Sequence, residues 1–152
     1  MPIFKAAQVT NRVPVPSANG GADVIAIVGD ITVPVGLVTG DIFEMCPLPA
    51  GYVVVTVYVD HAALGAAFTG AVGLMSGDFN TGGARTCGAQ FVAAATYQAG
   101  AIKRADVPGA MRIAPTTNDR SIGLLISGTL TTPTIGAALR CTVLARPQSE
   151  GV

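Results

Sequence analysis

One histidine stands in the 152-residue chain, His61, and it follows Asp60. A Ser-His-Asp or Cys-His relay would have to be built on it, since imidazole is the side chain that exchanges protons near neutral pH unaided. No G-x-S-x-G elbow occurs, and nothing around Cys87 marks a nucleophile. Asp60-His61 therefore reads as a solvated corner at a strand end. A zinc site needs several His or Cys ligands at close spacing, and Cys46, Cys87 and Cys141 do not supply it. Asp78-Phe79-Asn80 offers oxygens in a glycine-rich loop but lacks the ligand series of a calcium loop. Gly82-Gly83 is not followed by Lys-Ser/Thr, so no phosphate loop is present. Among nine carboxylates no pair is singled out for acid–base work. Arg120, after Asn118-Asp119, reads as a local ion pair and turn. These readings predict a protein that is not an enzyme, with no metal and no cofactor.

The elements that would have to position any site point elsewhere as well. Charged residues make up 12% of the chain, about half the ~25% of ordinary globular proteins. Too few ionised side chains remain to coat a monomer, so the chain either enters a membrane or hides its exterior against other chains. Ala62–Gly77, Thr86–Ile102 and Ser121–Leu139 are the longest uncharged spans. Each is broken by Gly, Pro or polar residues, short of the ~20-residue apolar run of a spanning helix. No apolar signal region follows the N-terminus, which predicts synthesis in a reducing cytosol with Cys46 and Cys141 as buried thiols. Nine basic and nine acidic residues leave no net charge, so no basic stripe is available for nucleic acid.

The pattern is that of an all-β chain. Tyr52–Asp60 alternates with period two, which puts Val53, Val55, Val57 and Val59 on one face. Leu48-Pro49-Ala50-Gly51 gives that strand a defined start. Val24–Val28, Asp41–Cys46, Ala71–Ser76, Ser121–Gly128 and Leu139–Ala145 read as further strands, the last with Leu139, Cys141, Val143 and Ala145 inward. Gly29-Asp30 reads as a turn, with Ile31–Val35 a second short strand or a bulged extension. Gln90–Ala99 has Phe91, Ala94, Ala95 and Gln98 at helical spacing and stops at Gly100, which predicts one short helix near 90–99. About eight short strands with Gly/Pro turns describe a two-sheet antiparallel sandwich, jelly-roll-like. The expected organisation is an extended N-terminal arm over 1–22, a β-sandwich over 23–147 and a C-terminal tail over 148–152. Prolines at positions 2, 14 and 16 and Asn19-Gly20-Gly21 make the leader either disordered or an arm that docks on a neighbouring subunit.

Three segments carry a resemblance: Leu48-Pro49-Ala50-Gly51-Tyr52 with its valine-rich strand, Gly73-Leu74-Met75-Ser76-Gly77-Asp78, and Asp119-Arg120-Ser121-Ile122-Gly123-Leu124. Together, over Leu48 to Arg146, they resemble the capsid cement or decoration proteins of tailed bacteriophages, and among these the jelly-roll cement proteins of Bordetella-type short-tailed phages. The resemblance implies a virion protein added to the outside of an icosahedral shell, with the major capsid protein and itself as partners. It implies a homodimer on two-fold positions ahead of a homotrimer, and no active-site motif is carried over.

The residues of the arm suggest how it would be held. Lys5 and Arg12 suit acidic groups on a capsid, while Phe4, Val9 and Val13 suit apolar grooves. An alternative is a receptor- or glycan-binding module of a phage tail or fibre, for which Asp78–Asn80 with Tyr97 is the best platform. A minimal hydrolase around Asp60-His61 is a third.

Overall fold

The computed structural model describes residues 2–10 and 24–148. In chain order they form β1 (Ile3–Lys5), α1 (Ala7–Thr10), β2 (Ile25–Thr32), β3 (Ile42–Leu48), β4 (Tyr52–His61), β5 (Gly65–Ala66), β6 (Thr69–Leu74), β7 (Val92–Thr96), β8 (Ala101–Arg104), β9 (Arg120–Ile126), β10 (Thr132–Pro133) and β11 (Ala138–Pro147), with a single 3₁₀ turn at Ala110–Arg112.

The chain is an all-β, two-sheet sandwich. One sheet has the order β1-β3-β9-β6-β7, the other β2-β11-β4-β8, and β5 and β10 form a small ribbon. Leaving aside β1 and the ribbon, eight strands remain, four in each sheet, and every pairing among them is antiparallel. This is the jelly-roll arrangement of two interleaved Greek keys. Phe43, Ile122, Leu124 and Val72 from one sheet meet Val57, Val143, Leu139 and Ile27 from the other in one continuous core. Gly29 lets the sheets close at one side, because a Cβ there would run into the carbonyl oxygen of Met45.

The strand registers sort the loops into two ends. Residues 33–41, 62–68, 97–100 and 127–137 gather at one end, and residues 49–51, 75–91 and 105–119 at the other. The Pro49-Ala50-Gly51 corner is tied down by hydrogen bonds from Ala50 N to Asp119 Oδ1 (2.9 Å) and from Gly51 N to the Thr116 carbonyl (2.9 Å). Gly51 takes a left-handed φ of 77°, a conformation that costs a residue without a Cβ almost nothing.

Three sequence expectations are corrected. The helix near 90–99 is instead β7, paired antiparallel with β6. A ten-residue helix gains little unless it packs, whereas β6 presents an unpaired edge whose hydrogen bonds can be satisfied by a strand. Val92 and Thr96 are β-branched and suit that role. Second, the turn expected at Gly29-Asp30 is absent: the single strand β2 runs through it to Thr32. Of the two readings of Ile31–Val35, a second strand or an extension of the first, the separate strand is excluded. Third, the face expected to hold Val53, Val55, Val57 and Val59 is split. Leu144 pairs with Thr56 but Ala145 pairs with Val54, so Val55 bulges out of the ladder. The phase flips there: Val54, Val57 and Val59 are buried and Val55 is exposed.

Of the leader expected over residues 1–22, Ile3–Lys5 runs parallel to Ile42–Glu44 as the edge of the five-stranded sheet. Ala6 and Val9 are fully enclosed. Arg12 and Val13 lie outside the described residues.

Candidate functional site

His61 does not stand at a solvated corner. Its side chain points inward from the end of β4 and is 3% exposed. Nδ1 donates to the Ala62 carbonyl at 2.8 Å, and the ring lies against Tyr97, with centroids 4.6 Å apart. Asp60, its neighbour in sequence, faces the opposite side of the sheet beside Arg140. The two therefore cannot act together, and among the described residues no serine or cysteine nucleophile bonds to the imidazole. Tyr97 is fully buried, with burial pushing its hydroxyl pKa upward, so it is not a stacking platform for a sugar. Asp78, beside the Asp119 loop in a shallow depression, has no third acidic or His/Cys partner. Among the described residues no group of three such side chains gathers.

The thiols are inert by placement. Cys46 is fully buried with its Sγ 3.4 Å from the carbonyl of Cys141 on the facing sheet. Hydrogen bonding with Cys141 and burial together hold its pKa well above the usual thiol range. Burial pushes Cys87 up to about 11. A thiolate is the reactive form, so neither cysteine is a nucleophile near neutral pH.

A polar cluster that sequence reasoning missed sits on the outer face of the five-stranded sheet. Glu44, in the middle of β3, is completely buried. Its Oε1 accepts from Arg85 Nη1 at 2.6 Å, from the Asn80 backbone N–H at 3.0 Å and from the Ser121 hydroxyl. Arg85 also donates from Nε to the Ser76 carbonyl at 2.7 Å. Lys5 reaches in from β1, donating to Asn80 Oδ1 at 2.8 Å and standing 3.9 Å from Glu44 Oε2. Around this pair the 75–91 loop lies flat on the sheet, with Met75 and Cys87 packed on Ile42, Ile3 and Leu125. What the arrangement does is mechanical. It fastens a long loop and the N-terminal strand to one face of the sandwich, and Ser121 is too deeply enclosed to meet a substrate. The signal in the sequence was a glutamate inside the apolar run Ile42–Leu48.

The outer face of the other sheet carries a charged row, and Lys5 and Thr10 border a depression beside it. Asp30, Arg140 and Asp60 stand side by side across the sheet, with Ile102 next in the row. Arg140 Nε donates to Asp30 Oδ1 at 2.6 Å, and this bond raises its already high pKa. Tyr58 and Thr142 occupy the row beyond.

Of the residues expected to contact a capsid or a neighbouring subunit, three are placed. Phe4 packs edge-to-face on Phe43 at 5.9 Å, Lys5 belongs to the Glu44 cluster, and Val9, on α1, is fully buried. All three are engaged within the chain itself.

No protein-family model matches the chain, and no curated protein matches it in sequence. Solved structures do. A chain in "Capsid of Ralstonia phage GP4" is 28% identical, with the match covering 98% of this chain and 100% of that one at a TM-score of 0.91. A chain in "Cyanophage Pam1 capsid asymmetric unit" shares the fold at 20% identity, covering 90% of this chain and 94% of that one at a TM-score of 0.61.

Proposed function

We propose that this chain is a non-enzymatic structural protein of a bacteriophage virion, bound as an oligomer to the outside of an icosahedral capsid, where it stabilises seams between capsomers. The observation that carries the reading is the end-to-end likeness to a chain of the Ralstonia phage GP4 capsid, without an unmatched domain on either side. The charge-poor composition supports it, since a subunit covered by neighbours needs few ionised side chains. The burial of His61, Cys46, Cys87, Cys141 and Ser121 away from solvent is in keeping with it.

The partners under this reading are the major capsid protein and further copies of the chain, a homodimer ahead of a homotrimer. The chain is made in the bacterial host cytoplasm and ends in the virion. The mechanism is additive burial. Each copy removes apolar area from water across a seam, at about 25 cal/mol per Å² before the cost of association. Repetition around the shell resists the outward push of packaged DNA.

The test is to prepare heads lacking this protein and compare their survival of heating and osmotic shock with that of complete heads. Loss of survival that returns on adding the purified protein is the expected result. Equal survival overturns the proposal. The tail- or fibre-module alternative has no observation in its favour, because Tyr97, the aromatic half of its platform, is shut inside the core.

A further inference from the structure

The two ends of the sandwich differ in kind. At the end built from residues 49–51, 75–91 and 105–119 the loops carry Asp78, Arg85, Asp106, Arg112 and Asp119. At the end built from residues 33–41, 62–68, 97–100 and 127–137 the only Asp, Glu, Lys, Arg or His side chain is Asp41, which is fully buried and accepts from the Val38 N–H at 2.9 Å. Asp30, Asp60 and Arg140 stand back on the flank of the sheet, and the half-buried Lys103 on β8 has its Nζ 6.0 Å from the Tyr97 ring.

What this uncharged end presents to solvent is apolar. Val35 is 72% exposed, Ile135 62% and Val38 54%, and exposed threonines, Thr129, Thr131 and Thr134 among them, stand around these aliphatic tips. The tips are held in place. Val33 N donates to the Ala137 carbonyl at 3.0 Å and Gly136 N to the Val33 carbonyl at 2.9 Å, joining the loops that carry Val35 and Ile135. Gly40 N donates to the Ile126 carbonyl at 2.9 Å, and Thr39 Oγ1 donates to the Gly128 carbonyl. Loops fixed in this way lose little conformational freedom on binding, which favours a docking role.

We infer that this uncharged end is the surface by which the chain stands on the capsid shell, against a neutral patch of the shell protein lined by apolar and hydroxyl-bearing side chains, with the charged end turned to solvent. The inference rests on the proposed capsid role and adds the face and its orientation. The charge pattern selects the occupant. Nucleic acid and anionic surfaces require cations, and the described residues of this end offer none. A second copy docked end-to-end would consume the uncharged end of both chains and leave only charged ends facing the shell.

The experiment uses heads lacking this protein and co-sedimentation of the purified chain. Val35→Asp and Ile135→Lys place a charge on solvent-exposed tips, where the fold itself tolerates it, and Asn118→Lys places one at the opposite end. Circular dichroism and solution mass accompany each variant. The expected result is at least tenfold weaker head binding for Val35→Asp and Ile135→Lys, with Asn118→Lys binding as the parent does and all four proteins keeping the same mass. If the parent binds and both tip variants bind equally well, the face is wrong while the capsid role stands. If the tip variants change the solution mass, the end is a self-interface and the inference fails. If the parent does not bind heads at all, the capsid role falls and this inference with it.

Discussion

Arg85 Nη1 lies 2.6 Å from Glu44 Oε1 with both side chains closed off from water, a buried ion pair formed between a loop and the centre of a strand. Removing one partner strands the other charge in a poorly solvated site. Arg85→Ala should therefore destabilise the fold by about 3–5 kcal/mol, measured by urea unfolding. Replacing both partners by apolar residues, Glu44→Leu with Arg85→Met, should lie closer to the parent than either single change. A double variant as weak as the worse single change would mean that the loop is held by something else.

Gly29 marks a close approach of β2 to β3. Gly29→Ala should cost about 2 kcal/mol or more, because the new methyl meets a backbone oxygen that cannot rotate away. Gly82→Ala, with open space around it, should stay within about 0.5 kcal/mol of the parent. Thermal midpoints of the two variants check the contrast.

Cys87 is held up at about 11 by burial, against 9.0 for a free thiol. The folded chain therefore keeps a proton that the unfolded chain gives up between these values. Its contribution is complete below pH 9 and is lost as pH rises to about 11, on the order of 2–3 kcal/mol. Tyr97 shifts in the same direction. Unfolding free energy measured from pH 8 to 11 should fall, and Cys87→Ala should flatten the decline.

The N-terminal strand is part of the core. Phe4→Ala should cost about 1–3 kcal/mol, below the full value for a buried phenylalanine because the ring is only half-buried. Deleting residues 1–10 should lower stability further and open the edge of β3, detected as earlier thermal unfolding and aggregation. Unchanged unfolding on deletion would show that β1 and α1 are dispensable.

The sandwich was legible where strands keep an unbroken alternation. In β11, Leu139, Cys141, Val143 and Ala145 read as the inward face and all four are buried. In β4 the same rule failed midway, because a bulge at Val55 is set by the partner strand and leaves no mark in a run of valines. In β7 alanines at helical spacing misled, since the vacant edge of β6 outweighs their intrinsic preference. The Glu44–Arg85 pair spans 41 residues, and only the folding of the 75–91 loop across the sheet brings it together. The scarcity of charge was plain in the residues, but which uncharged loops share one end depends on topology.

The position of β11 has a consequence for how the virion is supplied. This last strand runs between β2 and β4 and pairs Ala145 with Ile25. Until β11 has left the ribosome, the four-stranded sheet lacks its middle and its two flanking parts have nothing to join them. Closure of this sheet must wait for β11, as expected of a chain whose pairings are this distant in sequence. A copy cut short before β11 cannot join β2 to β4, so the topology itself separates such fragments from intact chains.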